Sequence, residues 1–371
     1  MSLPPLSFIS IENYRSVRAL HCPVGALNVF VGRNGTGKTN LYRALSLLQQ
    51  AAHGRITRAI AEEGGVESVL WAGERKRGPV QLRLSARLGD LTYAIAIGLP
   101  VKGSDAALPL EPLVKEEKLT LAAGRREVAL MHRAGPTAWL RAASGERLTY
   151  DNELLGSETA LFAFRDGARF PELDIVRRTL VDWRFYHGFR LDAASPLRRP
   201  ALALTTPTLA ADGADLAAVL ATLWEVREDP TDIRNAVADA FPGSDLNVSI
   251  DGAQCAFAMR FPDLQRPFSA HELSDGTLNY LCLIGALLAY RLPAFIALNE
   301  PEASLHPDLL EPLARVVARA SERAQIWIVT HSQAFAGHLA HHAGAVPRVI
   351  HKTGGATGIE GLKITGEFVE D

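Results

Sequence analysis

The sequence predicts a mixed α/β fold: a parallel sheet flanked by helices, joined to an antiparallel β-rich subdomain and a helical insertion. Three observations carry this prediction. A short apolar strand runs straight into a glycine-rich loop and a helix near the N-terminus. Residues 80–150 alternate apolar and polar side chains between turn signals. From Phe257 to about Leu362, short apolar strands alternate with helical patterns.

Taken in order, residues 8–11 and Leu27–Val31 are apolar runs with β character, and residues 40–52 carry Leu41, Ala44, Leu45 and Leu48 on one helical face. Residues 80–88 and Leu91–Gly98 alternate around Gly89-Asp90, a hairpin signal, and further alternating segments follow near Leu119 and Val128. Helical periodicity dominates residues 161–241, interrupted by a proline-rich loop at 195–207, with residues 214–226 the clearest helix. Residues 294–298 and 325–329 are strongly apolar, as buried parallel strands are. These patterns divide the chain into three stretches, a β-rich one at 1–150, a mainly helical one at 151–250 and one of alternating strands and helices at 251–371. No heptad run is long enough for a coiled-coil arm.

Composition narrows the function classes. With 371 residues, 47% of them hydrophobic, the chain can bury one large core or two smaller ones. The formal net charge of -2 means that any nucleic-acid contact needs a local basic patch. Cys22, Cys255 and Cys282 stand singly, with neither zinc-ligand spacing nor a disulfide framework, so a reducing, cytoplasmic setting is expected. The N-terminus has no basic segment followed by a long apolar one, so no export signal is expected. The most apolar stretch, 278–298, is broken by Arg291 and Pro293, and no membrane span is expected.

Gly32-Arg33-Asn34-Gly35-Thr36-Gly37-Lys38-Thr39 matches the Walker A pattern and sits between a strand and a helix, as the motif requires. The backbone N–H groups of Asn34, Gly35, Thr36 and Gly37 can curl round phosphates, and the helix N-terminus adds a favourable dipole. Lys38 can reach the β- and γ-phosphates, and the Thr39 hydroxyl can ligate Mg²⁺. The chain lacks an Asn-Lys-x-Asp guanine-reading motif, which favours ATP over GTP.

About 235 residues later comes an ordered set: Leu273-Ser274-Asp275-Gly276, then Asn299-Glu300-Pro301 at a strand end, then Ala303-Ser304-Leu305-His306-Pro307, then Thr330-His331-Ser332. Taken singly, these also read as a helix cap, a helix start, a solvated charge and a loop histidine. In this order they resemble the signature, Walker B, D-loop and switch histidine of an ABC-type ATPase. More narrowly, the chain resembles the RecF/SMC-like group of bacterial ATPases related to the ATPase domains of overcoming-lysogenization-defect nucleases. The opening Phe8-Ile9-Ser10-Ile11-Glu12-Asn13-Tyr14-Arg15-Ser16 and the run Glu300-Pro301-Glu302-Ala303-Ser304-Leu305-His306-Pro307 carry this narrower resemblance.

The resemblance implies a P-loop fold of the ABC type that binds ATP and Mg²⁺, with 1–150 and 251–371 as two lobes of a single head and 151–250 as an insertion between them. It implies that Ser274 and Gly276 contact the γ-phosphate held by a second subunit. Glu300 would orient or deprotonate the attacking water, His331 would bond the γ-phosphate or the water, and Ser304 and His306 would cross a dimer interface. Arg15 is a weaker nucleotide contact. The implied partners are a second copy brought in by ATP, DNA in repair or phage defence, or a separate protein such as a nuclease or toxin. A transporter motor is a third reading, and the opening segment and the Glu-Pro-Glu run argue against it.

One departure stands out. Walker B strands of this kind end Asp-Glu, whereas this one ends Asn299-Glu300. An amide oxygen accepts hydrogen bonds but carries no charge, and Mg²⁺ prefers charged oxygen, so weaker metal binding and slow turnover are expected. Gln49, Gln50 and Gln81 are the candidates for a Q-loop glutamine, none in a convincing context. His338, His341 and His342 read as a solvated helix end, because no carboxylate or cysteine set accompanies them in sequence. Arg75-Lys76-Arg77 and Arg198-Arg199 are short basic spots that could meet DNA phosphates.

Overall fold

A computed structural model describes residues 3–74, 80–100, 108, 110–363 and 365–369. The basic spot Arg75-Lys76-Arg77 lies outside the described residues. The chain forms two compact units, one of residues 1–25, 32–183 and 348–371, the other of residues 26–31 and 184–347.

The first unit is built on an eight-stranded antiparallel sheet. Its order is Val17–Pro23, Leu6–Tyr14, Leu82–Leu88, Leu91–Gly98, Leu113–Ala123, Arg126–Ala134, Thr137–Arg141 and Arg147–Tyr150. The alternation seen in sequence is the inward and outward alternation of these strands: Leu82, Leu84, Ala86 and Leu88 all face the core. The expected hairpin forms, with Leu88 opposite Leu91 and Gly89 at φ 57° in the turn. In the opening strand, Leu6 and Ile9 are both buried although three residues apart, because the register shifts between Leu6 and Phe8. Helix Lys38–Ala52 packs on this sheet, burying the predicted Leu41, Ala44, Leu45 and Leu48. A hairpin of Arg348–Thr353 and Ala356–Ile359 completes the unit.

The second unit holds a parallel sheet ordered Arg184–Tyr186, Phe295–Asn299, Gln325–Thr330, Leu27–Val31. Every residue of Phe295–Asn299 is buried, which explains its unbroken apolar run. Helix Asp275–Leu287 is buried on nearly all sides, from Leu278 through Leu287, and lies in the middle of this unit's core. A smaller antiparallel sheet pairs Ala201–Leu202, Gln254–Arg260, Asp245–Asp251 and Phe268–Ser269.

Two sequence expectations change here. The helical stretch 161–241 also contains strands, Arg184–Tyr186 and Ala201–Leu202, each too short to leave a periodic signal. The helix expected at 214–226 is Leu216–Ala221, running into a π-helical turn at Thr222–Val226, where the Thr222 hydroxyl donates to the Ala218 carbonyl. The three cysteines are free and buried. No helix among the described residues is long and apolar enough to cross a membrane.

Candidate functional site

The phosphate loop lies in the first unit. Lys38 is buried, and its ammonium donates to the carbonyls of Gly32 at 2.7 Å and Arg33 at 3.0 Å, which curls the loop over the head of its own helix. Gly37 caps that helix at φ 98°, and a Cβ there would meet the Thr357 hydroxyl at 2.0 Å and the Ser16 hydroxyl at 2.5 Å. No other residue fits this point. Behind the loop, the Thr357 hydroxyl donates to the Thr36 carbonyl, and Asn40 Nδ2 donates to the Ser16 hydroxyl, which pairs with Thr357 at 2.7 Å. Ser16 and Thr357 are 341 residues apart in sequence, so no local pattern could have pointed to this brace. Gly35 at φ 81° has open space around it, and Asn34 is exposed, which leaves the mouth of the loop clear.

Asn299-Glu300 and Thr330-His331 lie in the second unit at the carboxyl ends of its parallel strands, where ligands bind in open α/β sheets, and the signature opens helix Asp275–Leu287. In register, Asn299 sits opposite Val329, and Thr330 sits opposite Val31, the residue before the phosphate loop. Glu300 takes a left-handed backbone, φ 51°, held by its N–H donating to the Val329 carbonyl at 2.7 Å. Such a conformation in a non-glycine residue costs on the order of 1–3 kcal/mol and is retained where it aims a functional side chain.

Glu302, which sequence reasoning passed over, organises the switch histidine. One of its carboxylate oxygens accepts from the Thr330 hydroxyl, from the His331 N–H at 2.9 Å and from the Ser332 N–H at 3.2 Å. The same oxygen lies 3.0 Å from His331 Nδ1, whereas Glu300 lies 3.8 Å from it. His331 is thereby held by one carboxylate and faces the other. The available signal was the second glutamate of Glu-Pro-Glu, three residues past the strand end at Asn299. Replacing Glu302 by Gln removes a charged acceptor worth about 1.5–3 kcal/mol, so kcat should fall roughly 10- to 150-fold with little change in KM. A KM rise with kcat unchanged would assign Glu302 to nucleotide binding and not to the chemical step.

Asn299 is buried, and its amide Nδ2 donates to His187 Nδ1 at 2.7 Å. Its Oδ1 has no hydrogen-bond partner among the described residues. An orphaned buried acceptor of this kind suits a water on a metal ion, while the amide nitrogen is spent on His187. His187 follows a three-residue strand and was invisible in the sequence. An Asn299→Asp enzyme, which gains charge at that oxygen, should need less Mg²⁺ for half-maximal rate and turn over several-fold faster. Unchanged Mg²⁺ dependence and rate would remove Asn299 from metal binding and turnover.

Signature and D-loop meet within this unit. Ser274 caps helix Asp275–Leu287, accepting from the Thr277 N–H, and its side chain stays exposed. A Cβ on Gly276 would lie 2.9 Å from the Ser304 carbonyl, so glycine permits the close approach. Asn279 Nδ2 donates to the Ala303 carbonyl at 2.7 Å, tying the D-loop to the signature helix. Ser304 is itself left-handed, at φ 65°. Ser274, Gly276, Ser304 and His306 line one open cleft of about 670 Å³.

Other candidates are committed elsewhere. Arg198 is nearly buried and donates to the carbonyls of His271 and Leu273, at 3.1 and 2.8 Å, and to Asp275, so it straps the signature loop and is not a free phosphate contact. Arg15 pairs with Glu63 at 2.7 Å in a cavity shared with Arg43, Arg55 and Arg58. The Gln49 amide donates to the Trp183 carbonyl, and the Gln81 side chain accepts from Arg83.

Residues 123–336, more than half the chain, match the family described as "AAA domain, putative AbiEii toxin, Type IV TA system". The chain belongs to this AAA-domain family. Residues 5–74 match a second family, described as "AAA ATPase domain". Among solved structures, the SmcHead bound to the C-winged helix domain of ScpA aligns with a TM-score of 0.52 at 12% identity, over 96% of this chain and 97% of that one. An Smc head domain with an extended coiled coil, bound to the C-terminal domain of ScpA derived from Pyrococcus furiosus, aligns with a TM-score of 0.51 at 11% identity, over 96% of each chain. No curated protein matches the chain. The AAA-domain protein described here thus has the fold of an SMC/RecF-like ABC-type ATPase, as its motif order implied.

Proposed function

We propose that this AAA-domain protein binds and hydrolyses ATP as a switch, and that ATP joins two copies while hydrolysis releases them. The observation that carries the reading is the open cleft where Ser274 and Gly276 of the signature stand beside Ser304 and His306 of the D-loop. An exposed helix N-terminus capped by a solvent-exposed serine is a ready anion site, and it suits the γ-phosphate of a nucleotide held by a second copy. Asn34, Gly35, Thr36, Gly37 and Lys38 hold the phosphates of each copy's own nucleotide. Glu300 directs the attacking water, and His331, set by Glu302, answers the charge that develops on the γ-phosphate. The donor types suit Mg²⁺: Thr39, in the first unit, offers a hydroxyl, and Asn299 Oδ1, in the second, has no hydrogen-bond partner among the described residues. When bound, the ion neutralises phosphate charge. The chain then works as one head split in sequence, with lobes at 1–150 and 251–371 and an insertion at 151–250.

The family description names a toxin of a type IV toxin–antitoxin system, and both aligned Smc heads are bound to a protein, ScpA. These support a role in defence, exerted on a protein partner such as a nuclease or toxin. DNA repair or maintenance, with DNA as the partner, is the second reading, supported by the Smc-head fold. The test is phosphate release from Mg·ATP by the full chain, with and without DNA. Turnover should occur and fall at least about 100-fold in Lys38→Ala. Absence of turnover in the native chain overturns the reading. Stimulation by DNA that fades steeply with salt selects the DNA partner, and indifference to DNA together with a co-purifying protein favours the protein partner.

A further inference from the structure

The second unit carries a cluster that the ATPase chemistry does not use. His338 and His342 are one turn apart on helix Gln333–Ala343 and face the same way. Helix Leu310–Ser321 packs against it and brings Glu311 to the pair. One possible ligand atom from each of His338, His342 and Glu311 lies within 4.8 Å of the other two, and all three side chains are partly buried. The sequence showed no carboxylate near these histidines. It arrives from a helix that starts before the intervening strand Gln325–Thr330.

We propose that Glu311, His338 and His342 form a binding site for a divalent transition-metal ion of the zinc type. Two imidazoles and one carboxylate are the donor set of an open zinc site, whose fourth position is left to water. The spacing is close to what the ion demands. His342 Nε2 and the nearer Glu311 oxygen are 3.0 Å apart, and two ligands on one tetrahedral zinc stand roughly 3.3 Å apart at ordinary bond lengths. The ion replaces the proton that now joins this nitrogen and oxygen. Arg315 donates to this same Glu311 oxygen at 2.8 Å, but Asp239 holds its other edge at 2.7 Å and offsets its charge.

The placement gives the ion a consequence. Helix Leu310–Ser321 follows the D-loop by way of the Pro307–Leu309 turn, and helix Gln333–Ala343 follows His331 directly. A bound ion staples the helix behind the D-loop to the helix behind the switch histidine.

The test uses the EDTA-treated full chain, with Mg²⁺ in excess and Zn²⁺ as the probe, read by equilibrium dialysis and thermal melting. Native protein should take up one equivalent of zinc and melt higher with it. His338→Ala/His342→Ala should lose both effects while keeping the native midpoint in EDTA. Glu311→Gln, which preserves the helix contact, should weaken uptake at least about tenfold. His331→Ala, which removes a histidine–carboxylate contact outside the cluster, should bind zinc normally. No uptake by the native chain, or uptake lost with His331 and kept without His338 and His342, overturns the proposal.

Discussion

A Glu300→Gln variant given Mg·ATP should accumulate as a dimer in light scattering and release phosphate roughly 100- to 10,000-fold more slowly than the native chain, the range expected on losing a catalytic base. Gln matches Glu in size and keeps an acceptor oxygen, so nucleotide contacts survive while the group that activates water is lost. The backbone geometry should also persist. The left-handed turn at Glu300 is set by its N–H bonding to the Val329 carbonyl and by its own carbonyl accepting from the Ala303 N–H at 3.0 Å, and neither bond involves the side chain. His331 stays in place because Glu302 holds it. The two readouts separate two claims. A variant that stays strictly monomeric with ATP removes ATP-driven dimerisation, and a native rate in the variant removes Glu300 from catalysis.

The parts of the site legible in sequence are those whose residues act on their own neighbours. The phosphate loop follows a five-residue apolar strand, Leu27–Val31, and opens an amphipathic helix, Lys38–Ala52, so its context is written in one continuous stretch of sequence. The buried strands Phe295–Asn299 and Gln325–Thr330 were legible for the same reason, since burial on both faces requires unbroken apolar runs. What escaped depends on partners far along the chain. Thr357 matters to the loop only because the Arg348–Thr353 and Ala356–Ile359 hairpin returns behind it. His187 matters only because a three-residue strand lands beside Asn299. The Asp245–Asp251 strand exposes most of its residues, so it carries no strong hydrophobic period. Glu302 was in plain view and was missed because its bonds run to the next strand's end, not to its neighbours.

The largest stability effect should come from Arg133, far from any motif. Arg133 and Glu117 face each other on paired strands and are both fully buried. Glu117 accepts from Arg133 at 3.0 Å, from the Tyr93 hydroxyl at 2.8 Å and from the Ala160 N–H at 2.6 Å, so one carboxylate joins two strands to the start of the Ala160–Ala163 helix. Arg133 also donates to the carbonyls of Gly135 and Leu155, at 2.7 and 2.8 Å, and to that of Glu158. A buried pair of this kind adds little over a well-packed apolar pair, but removing one member leaves an uncompensated charge, at a cost of about 3–5 kcal/mol. Arg133→Met should therefore lower the melting midpoint by roughly 6–20 °C, given about 2–4 °C per kcal/mol for a unit of this size. Adding Glu117→Gln to that variant should restore part of the loss, because the amide keeps an acceptor for Tyr93 and Ala160 and no longer buries a bare charge. If the double variant is less stable than Arg133→Met alone, the loss came from the guanidinium's bonds to the three carbonyls and not from the stranded carboxylate.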